Sequence, residues 1–193
     1  YIRFGMWDEA LAEPPPPAGV PLATAQWHYV QGVAAAATGD LRAARSQLRM
    51  LEKMARDGAV STVPFRPGVP VADMLLSIGT DLVRARIARQ EGDATAELAA
   101  LNAAVKTQDA LPYTEPPFWH FPVRQALGAA YLRAGQPQDA ARVYREDLAY
   151  FPRNGWSLAG LMRAEPEAAD IKTLKSQFAQ TWKNADAEPL AGL

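Results

Sequence analysis

The chain has 193 residues, long enough for a substantial core, and its 49% apolar and 21% charged residues are the balance of a globular protein. Its 20 basic and 21 acidic side chains leave a formal net charge of -1, which gives no electrostatic case for nucleic acid or an anionic membrane surface. Cysteine is absent, which excludes disulfides and thiolate metal sites, and no apolar run approaches the ~20 residues of a membrane span.

The chain opens "YIRFGMWDEAL", with no initiator Met and no basic-then-apolar leader, and reads as the interior of something longer. "EPPPP" at 13–17 cannot be helix. A first helix then runs through "TAQWHYVQGVAAAATG" and ends at Gly39. Asp40 is placed to cap the next helix by accepting hydrogen bonds from its free N–H groups. That helix, "LRAARSQLRMLEKMARDG", carries Leu41, Ala44, Leu48, Leu51, Met54 and Ala55 on one face and stops at Gly58. "AVSTVPFRPGVP" at 59–70 holds three prolines and is a loop.

The pattern returns at 71–111: "VADMLLSIGTDLVRARIARQ" ends at Gly92, Asp93 caps, and "ATAELAALNAAVKTQDAL" follows. "LPYTEPP" at 111–117 is a stiff connector. Beyond it, Val123, Leu127, Ala130 and Tyr131 recur at helical spacing, and Gly135 breaks the run. Pro137 suits the first position of a new helix, where its missing N–H costs nothing. Ala140, Ala141, Tyr144 and Leu148 form the second stripe, and Pro152 stops it. The tail puts Ile171, Leu174, Phe178 and Trp182 on one face of a last amphipathic helix around 167–184.

Three times the text reads helix, glycine, cap or proline, helix, the signature of an α-solenoid. The expected fold is therefore all-α: three to four helix hairpins, at about 22–58, 71–111, 117–152 and 154–184, in one solenoid over 1–193 with a C-terminal cap. Residues 1–21 read as the end of a preceding repeat plus a proline-rich linker. The spacing is uneven: 34 residues from Gly5 to Gly39, 53 to Gly92 and 43 to Gly135.

The third hairpin resembles a tetratricopeptide repeat. Leu127 and Gly128 align with the repeat's Leu–Gly pair, Tyr131 with the following aromatic, and Gly135 with the turn. Ala140 takes the small packing position, Tyr144 the large one and Pro152 the terminal proline; Asp147 alone falls where a small residue is expected. The first hairpin fits more loosely, at Gly32, Gly39, Ala44 and Leu48, and the second more loosely still, at Ala85, Gly92, Leu101 and Ala104. Taken with "RFGMWDEALAEPPPP" and "VYREDLAYFPRNGWSLAGL", the chain resembles the C-terminal part of longer bacterial tetratricopeptide-repeat proteins, several of which carry export signals. The resemblance implies a concave groove lined by the first helix of each hairpin and no built-in chemistry. It places the protein in the cytoplasm or periplasm of a bacterium.

Catalytic motifs are missing. There is no Gly-Lys phosphate loop, no G-x-G-x-x-G turn and no H-E-x-x-H helix. "GWSLAG" at 155–160 puts its second glycine one residue too late for a nucleophile elbow. Two histidines without cysteine are too few for a transition-metal site, so no metal and no cofactor is expected.

Both histidines sit between a Trp and another ring, in "AQWHYVQG" and "PFWHFPVR". Trp27, His28 and Tyr29 are ~100° apart around a helix, so one packs inward, one lies at the hairpin interface and one faces the groove. Tyr29, with Gln26 and Val33, is the expected groove side. Either Tyr29, Trp119 and His120 line one aromatic pocket, or these rings fill gaps between unevenly spaced hairpins. Arg86 and Arg89 share a helix face, and with Arg133 they would suit acidic side chains or a terminal carboxylate. The plainer alternative is a solvated face neutralised by Asp81, Glu91 and Asp93.

The functional expectation is a non-catalytic interaction module that binds a protein or peptide through Gln26, Tyr29, Val33, Arg86, Arg89, Trp119, His120 and Arg133. An alternative is the C-terminal half of a metal- or small-ligand-binding protein or enzyme. A third is self-association through unpaired repeat ends.

Overall fold

The structure, a computed structural model, describes residues 1–65 and 68–185. Arg66 and Pro67 of the expected proline-containing loop, and residues 186–193, lie outside that description. Among the described residues the fold is all-α, with a 3-10 turn at Ile2–Phe4 and no β-strand. The helices are α1 (Trp7–Ala12), α2 (Pro21–Ala37), α3 (Leu41–Arg56), α4 (Val71–Glu91), α5 (Ala94–Asp109), α6 (Val123–Arg133), α7 (Pro137–Tyr150), α8 (Gly155–Ala164) and α9 (Ile171–Trp182). None of these helices is long and apolar enough to cross a membrane.

Local chemistry sets the helix ends. Asp40 Oδ1 accepts from the Ala43 N–H at 2.9 Å, and Asp93 Oδ1 accepts from the Ala96 N–H at the same distance. Each satisfies one of the donors that a helix start leaves without an intrahelical partner. Gly92 closes α4 at φ 74, a left-handed conformation in which any side chain would be strained, and its N–H returns to the Ala88 and Arg89 carbonyls. Pro21 and Pro137 stand in the first turns of α2 and α7.

The chain forms two compact units. The first contains Tyr1–Ile2 and Met6–Phe121; the second contains Arg3–Gly5 and the chain from Pro122 onward. In the first unit α2 packs on α3, α4 packs on α5, and α4 also rests on both α2 and α3. The approach of α2 to α4 depends on missing side chains. A Cβ at Gly32 would stand 2.9 Å from both Val83 methyls, and one at Gly79 would stand 3.2 Å from Tyr29 Cβ. The run Gly32–Ala36 is buried throughout, because small residues let another helix backbone come close.

In the second unit α6 packs on α7, α8 packs on α9, and α8 rests on both α6 and α7. Its centre is Tyr144, 0% exposed, with its ring against Gly128 of α6 and Gly160 of α8. A Cβ at Gly128 would meet the ring at 2.5 Å, and one at Gly160 at 2.1 Å. Ala140, Ala141, Leu158, Leu161, Ala164 and Leu174 complete this core. The last helix is shorter than the sequence suggested: it spans Ile171–Trp182 and buries Leu174, with Ile171 and Phe178 packed partly against the same core. The rings at 118–121 precede α6 and belong to the first unit.

The Tyr144 contact gives a direct test. Gly160→Ala and Gly128→Ala should each destabilise the protein by about 1–3 kcal/mol, because a rigid ring cannot yield to the new methyl. Combining Gly160→Ala with Tyr144→Leu should cost less than the two single changes added together. Urea unfolding of the four chains measures this, and additive losses would show that the two residues do not share one space.

Candidate functional site

The first unit gathers the expected rings, but not in an open groove. Tyr29 and Trp119 are each 2% exposed, with centroids 5.3 Å apart at a steep angle. His120 lies at the solvent edge of the cluster, 6.3 Å from Tyr29, 5.1 Å from Trp119 and 4.7 Å from Phe121. Phe118 meets Phe65 edge-on at 5.5 Å. The Gln108 amide ties this loop to α5 by donating to the Phe121 carbonyl at 3.0 Å. The structure therefore brings Tyr29, Trp119 and His120 together, as packed rings with one exposed member.

This corrects the assignment of groove-facing residues. Tyr29 is the inward member of the Trp27–His28–Tyr29 run, because Gly79 lets its ring lie against α4. His28 is the interface member, with Nδ1 2.6 Å from Gln47 Oε1 of α3. Trp27 is the partly exposed one, and its Nε1 donates to the Glu13 carbonyl at 2.9 Å. Val33 is buried with Tyr29, Trp119 is buried in the connector, and Gln26 is half-buried.

The arginines are also engaged. Arg84 pairs with Asp81 and Glu52, both at 2.8 Å. Glu91 pairs with Arg45 and Asp93 caps α5, so neither is committed to the α4 arginines by these contacts. Arg86 stacks on Trp7 of α1, 5.1 Å from the ring centroid, and Arg89 is half-buried in the last turn of α4. Arg133 is exposed at the end of α6 and belongs to the second unit.

Two polar atoms in the ring cluster, Tyr29 Oη and Trp119 Nε1, have no hydrogen-bond partner within the protein. Burial raises the Tyr29 hydroxyl's pKa well above the ordinary phenol value, so it stays protonated. A buried hydroxyl without a partner costs free energy. Tyr29→Phe should therefore leave stability within about 1 kcal/mol of the parent, or raise it, in thermal unfolding. A loss of more than about 2 kcal/mol would show that the hydroxyl is bonded.

Sequence reasoning missed a second constellation, in the second unit. Asp147 of α7 is 1% exposed. Its carboxylate accepts from Ser157 Oγ of α8 and from Asn154 Nδ2 at 3.0 Å. Gln125 of α6 is fully buried beside it, although its Nε2 makes no hydrogen bond of ordinary geometry. Arg3 reaches this place from the N-terminal turn. Its Nη1 donates to Gln125 Oε1 at 2.6 Å, and its guanidinium lies over Trp156, 3.8 Å from the ring centroid. Phe4 packs on the same Trp at 6.3 Å, and Trp156 is met edge-on by Trp182 at 4.6 Å.

The charges fit this geometry. Burial raises the Asp147 pKa, while Ser157, Gln125, Arg124 and Arg3 each pull it back. Burial lowers the Arg3 pKa to about 10, and Asp147 opposes that, so Arg3 keeps its charge at neutral pH. Because Asp147 binds its proton more tightly folded than unfolded, its contribution to stability grows as pH falls through the raised value toward about 3.9, and shrinks as pH rises. Asp147→Asn removes this dependence. The parent chain should gain stability relative to Asp147→Asn as pH drops from neutral toward about 4, measured by urea unfolding at each pH. A gap that is flat, or that moves the other way, would contradict a raised Asp147.

Among the described residues no group of three or more His, Asp or Glu is placed to hold a metal ion. Comparison with protein-family models, curated proteins and solved structures finds no match for this chain.

Proposed function

We propose that the chain is a tetratricopeptide-like solenoid that acts as a non-catalytic protein-interaction module. The observation that carries this reading is in the second unit, where a short stretch of chain, Arg3–Phe4, is held by side chains against Gln125 of α6 and Trp156 of α8. A helical repeat array receives a short peptide guest in a comparable way, through a few side-chain anchors. Two further observations support it. Neighbouring helices pair as successive hairpins within each unit. Gly128 and Tyr144, aligned to the repeat's glycine and large-residue positions, are in van der Waals contact.

Of the expected residues, His120 on the first unit and Arg133 on the second are exposed, and Gln26, Arg86 and Arg89 are half-buried. A second reading, a part of a small-ligand-binding protein, draws on the buried Tyr29 Oη and Trp119 Nε1 that no protein group satisfies.

Affinity capture from native lysate, with mass spectrometry of protein and metal content, separates the two. The module reading expects a stoichiometric protein partner. It also expects recovery to fall by about tenfold or more in one of the variants Arg89→Ala, His120→Ala or Arg133→Ala, with helical circular dichroism unchanged. A bound small molecule or metal without a partner, or equal recovery with all three variants, would contradict it.

A further inference from the structure

We propose that the second unit carries an arginine slot that accepts an arginine–aromatic segment of a partner polypeptide, and that Arg3–Phe4 of this chain is its resident competitor. This rests on the interaction-module reading and names the chemistry of the guest.

The slot has two walls and a buried charge near them. The indole of Trp156 gives a flat face, on which the Arg3 guanidinium stacks at 3.8 Å. Gln125 Oε1 gives an acceptor at the edge of the cation, 2.6 Å from Nη1. The buried Asp147 carboxylate lies near enough to oppose the lowering of the Arg3 pKa by burial. All three are held by groups other than the guest. Asp147 is fixed by Ser157 and Asn154, Trp156 is pinned by Trp182, and Gln125 is locked in the α6 packing. Such a site keeps its geometry when the guest leaves, so binding costs little reordering.

The chemistry selects arginine. A planar guanidinium stacks on the ring and donates along its edge at the same time, whereas a lysine ammonium is a hydrated point charge that does neither well. The aromatic preference comes from Phe4, whose ring lies 6.3 Å from the same indole while remaining 53% exposed.

Only Arg3–Gly5 belong to this unit from the N-terminal stretch; Arg3 is half-buried and Phe4 is half in water. Arg3 competes as part of the same chain, so a free peptide must displace an intramolecular contact. Asp147 gives the exchange its stakes, because a buried carboxylate whose cation departs is costly until another replaces it.

The test is isothermal titration of the blocked tetrapeptide Ile-Arg-Phe-Gly, the sequence of residues 2–5, into the full chain. The Arg3→Ala chain should bind one equivalent saturably, and the parent about tenfold or more weaker, since its own Arg3 competes. Arg3→Lys retains a cation beside Asp147 and should fall between them, which keeps the test alive if Arg3→Ala fails to fold. A tetrapeptide with Lys for Arg should bind Arg3→Ala about tenfold or more weaker, and Gln125→Leu in that background should weaken the Arg peptide. Equal affinity for the parent and Arg3→Ala overturns the competition. Equal affinity for a peptide with Ala in place of Arg overturns the guanidinium chemistry while leaving the module reading standing. No binding of either peptide to folded Arg3→Ala overturns the slot, and partner capture then decides the module reading separately. A parent dimer in sedimentation that Arg3→Ala abolishes would make a second copy the occupant and overturn the proposal in this form.

Discussion

A carboxylate taken out of water must be answered by donors and cations or it destabilises the fold, and in the second unit that requirement falls on Asp147. The answer comes from several elements: Ser157 of α8, Asn154 at its cap, Arg124 of α6 and Arg3 from the N-terminal turn. No single one is sufficient, because burial still outweighs them and leaves the carboxyl's pKa above its ordinary value. The buried charge is thus a cost that the donors and cations around it reduce, while apolar contact carries the packing of α6, α7 and α8. Tyr144 does the complementary apolar task one helical turn away, filling the space that Gly128 and Gly160 leave.

The first unit is built on a different economy. Its helices meet through glycine and alanine, at Gly32 against Val83 and at Gly79 against Tyr29. The missing side chain at Gly79 makes room for the Tyr29 ring of α2, which is therefore drawn inward. Arg84 pairs with the buried Asp81 and with Glu52, and of these the more exposed Arg84–Glu52 pair is worth little by itself. Of Tyr29, Trp119 and His120, it is His120 that is exposed to solvent.

The helices were legible in the sequence because their ends are written in residues with local physical roles: aspartate caps at 40 and 93, glycine turns at 39, 92 and 135, and proline at 137. The direction of each face was less so. The ~100° step fixes the angles between Trp27, His28 and Tyr29 but not the absolute orientation, which Gly79, fifty residues further on, decides. The clustering of Tyr29, Trp119 and His120 was legible as one alternative, and their burial was not. The Arg3–Asp147 constellation was invisible to pattern, because its members are 144 residues apart and neither belongs to a motif. Its one trace was negative: Asp147 stands where the resembling repeat wants a small residue.

The central claim is that Arg3 and Asp147 answer each other inside the second unit. The most direct measurement is the apparent pKa of the Asp147 carboxyl, followed by NMR across pH in the parent chain and in Arg3→Ala. If the account holds, removing the guanidinium shifts the already raised value further upward, because one of the charges that favours the carboxylate has gone. A value that stays where it is, in a variant that keeps its fold, would contradict it.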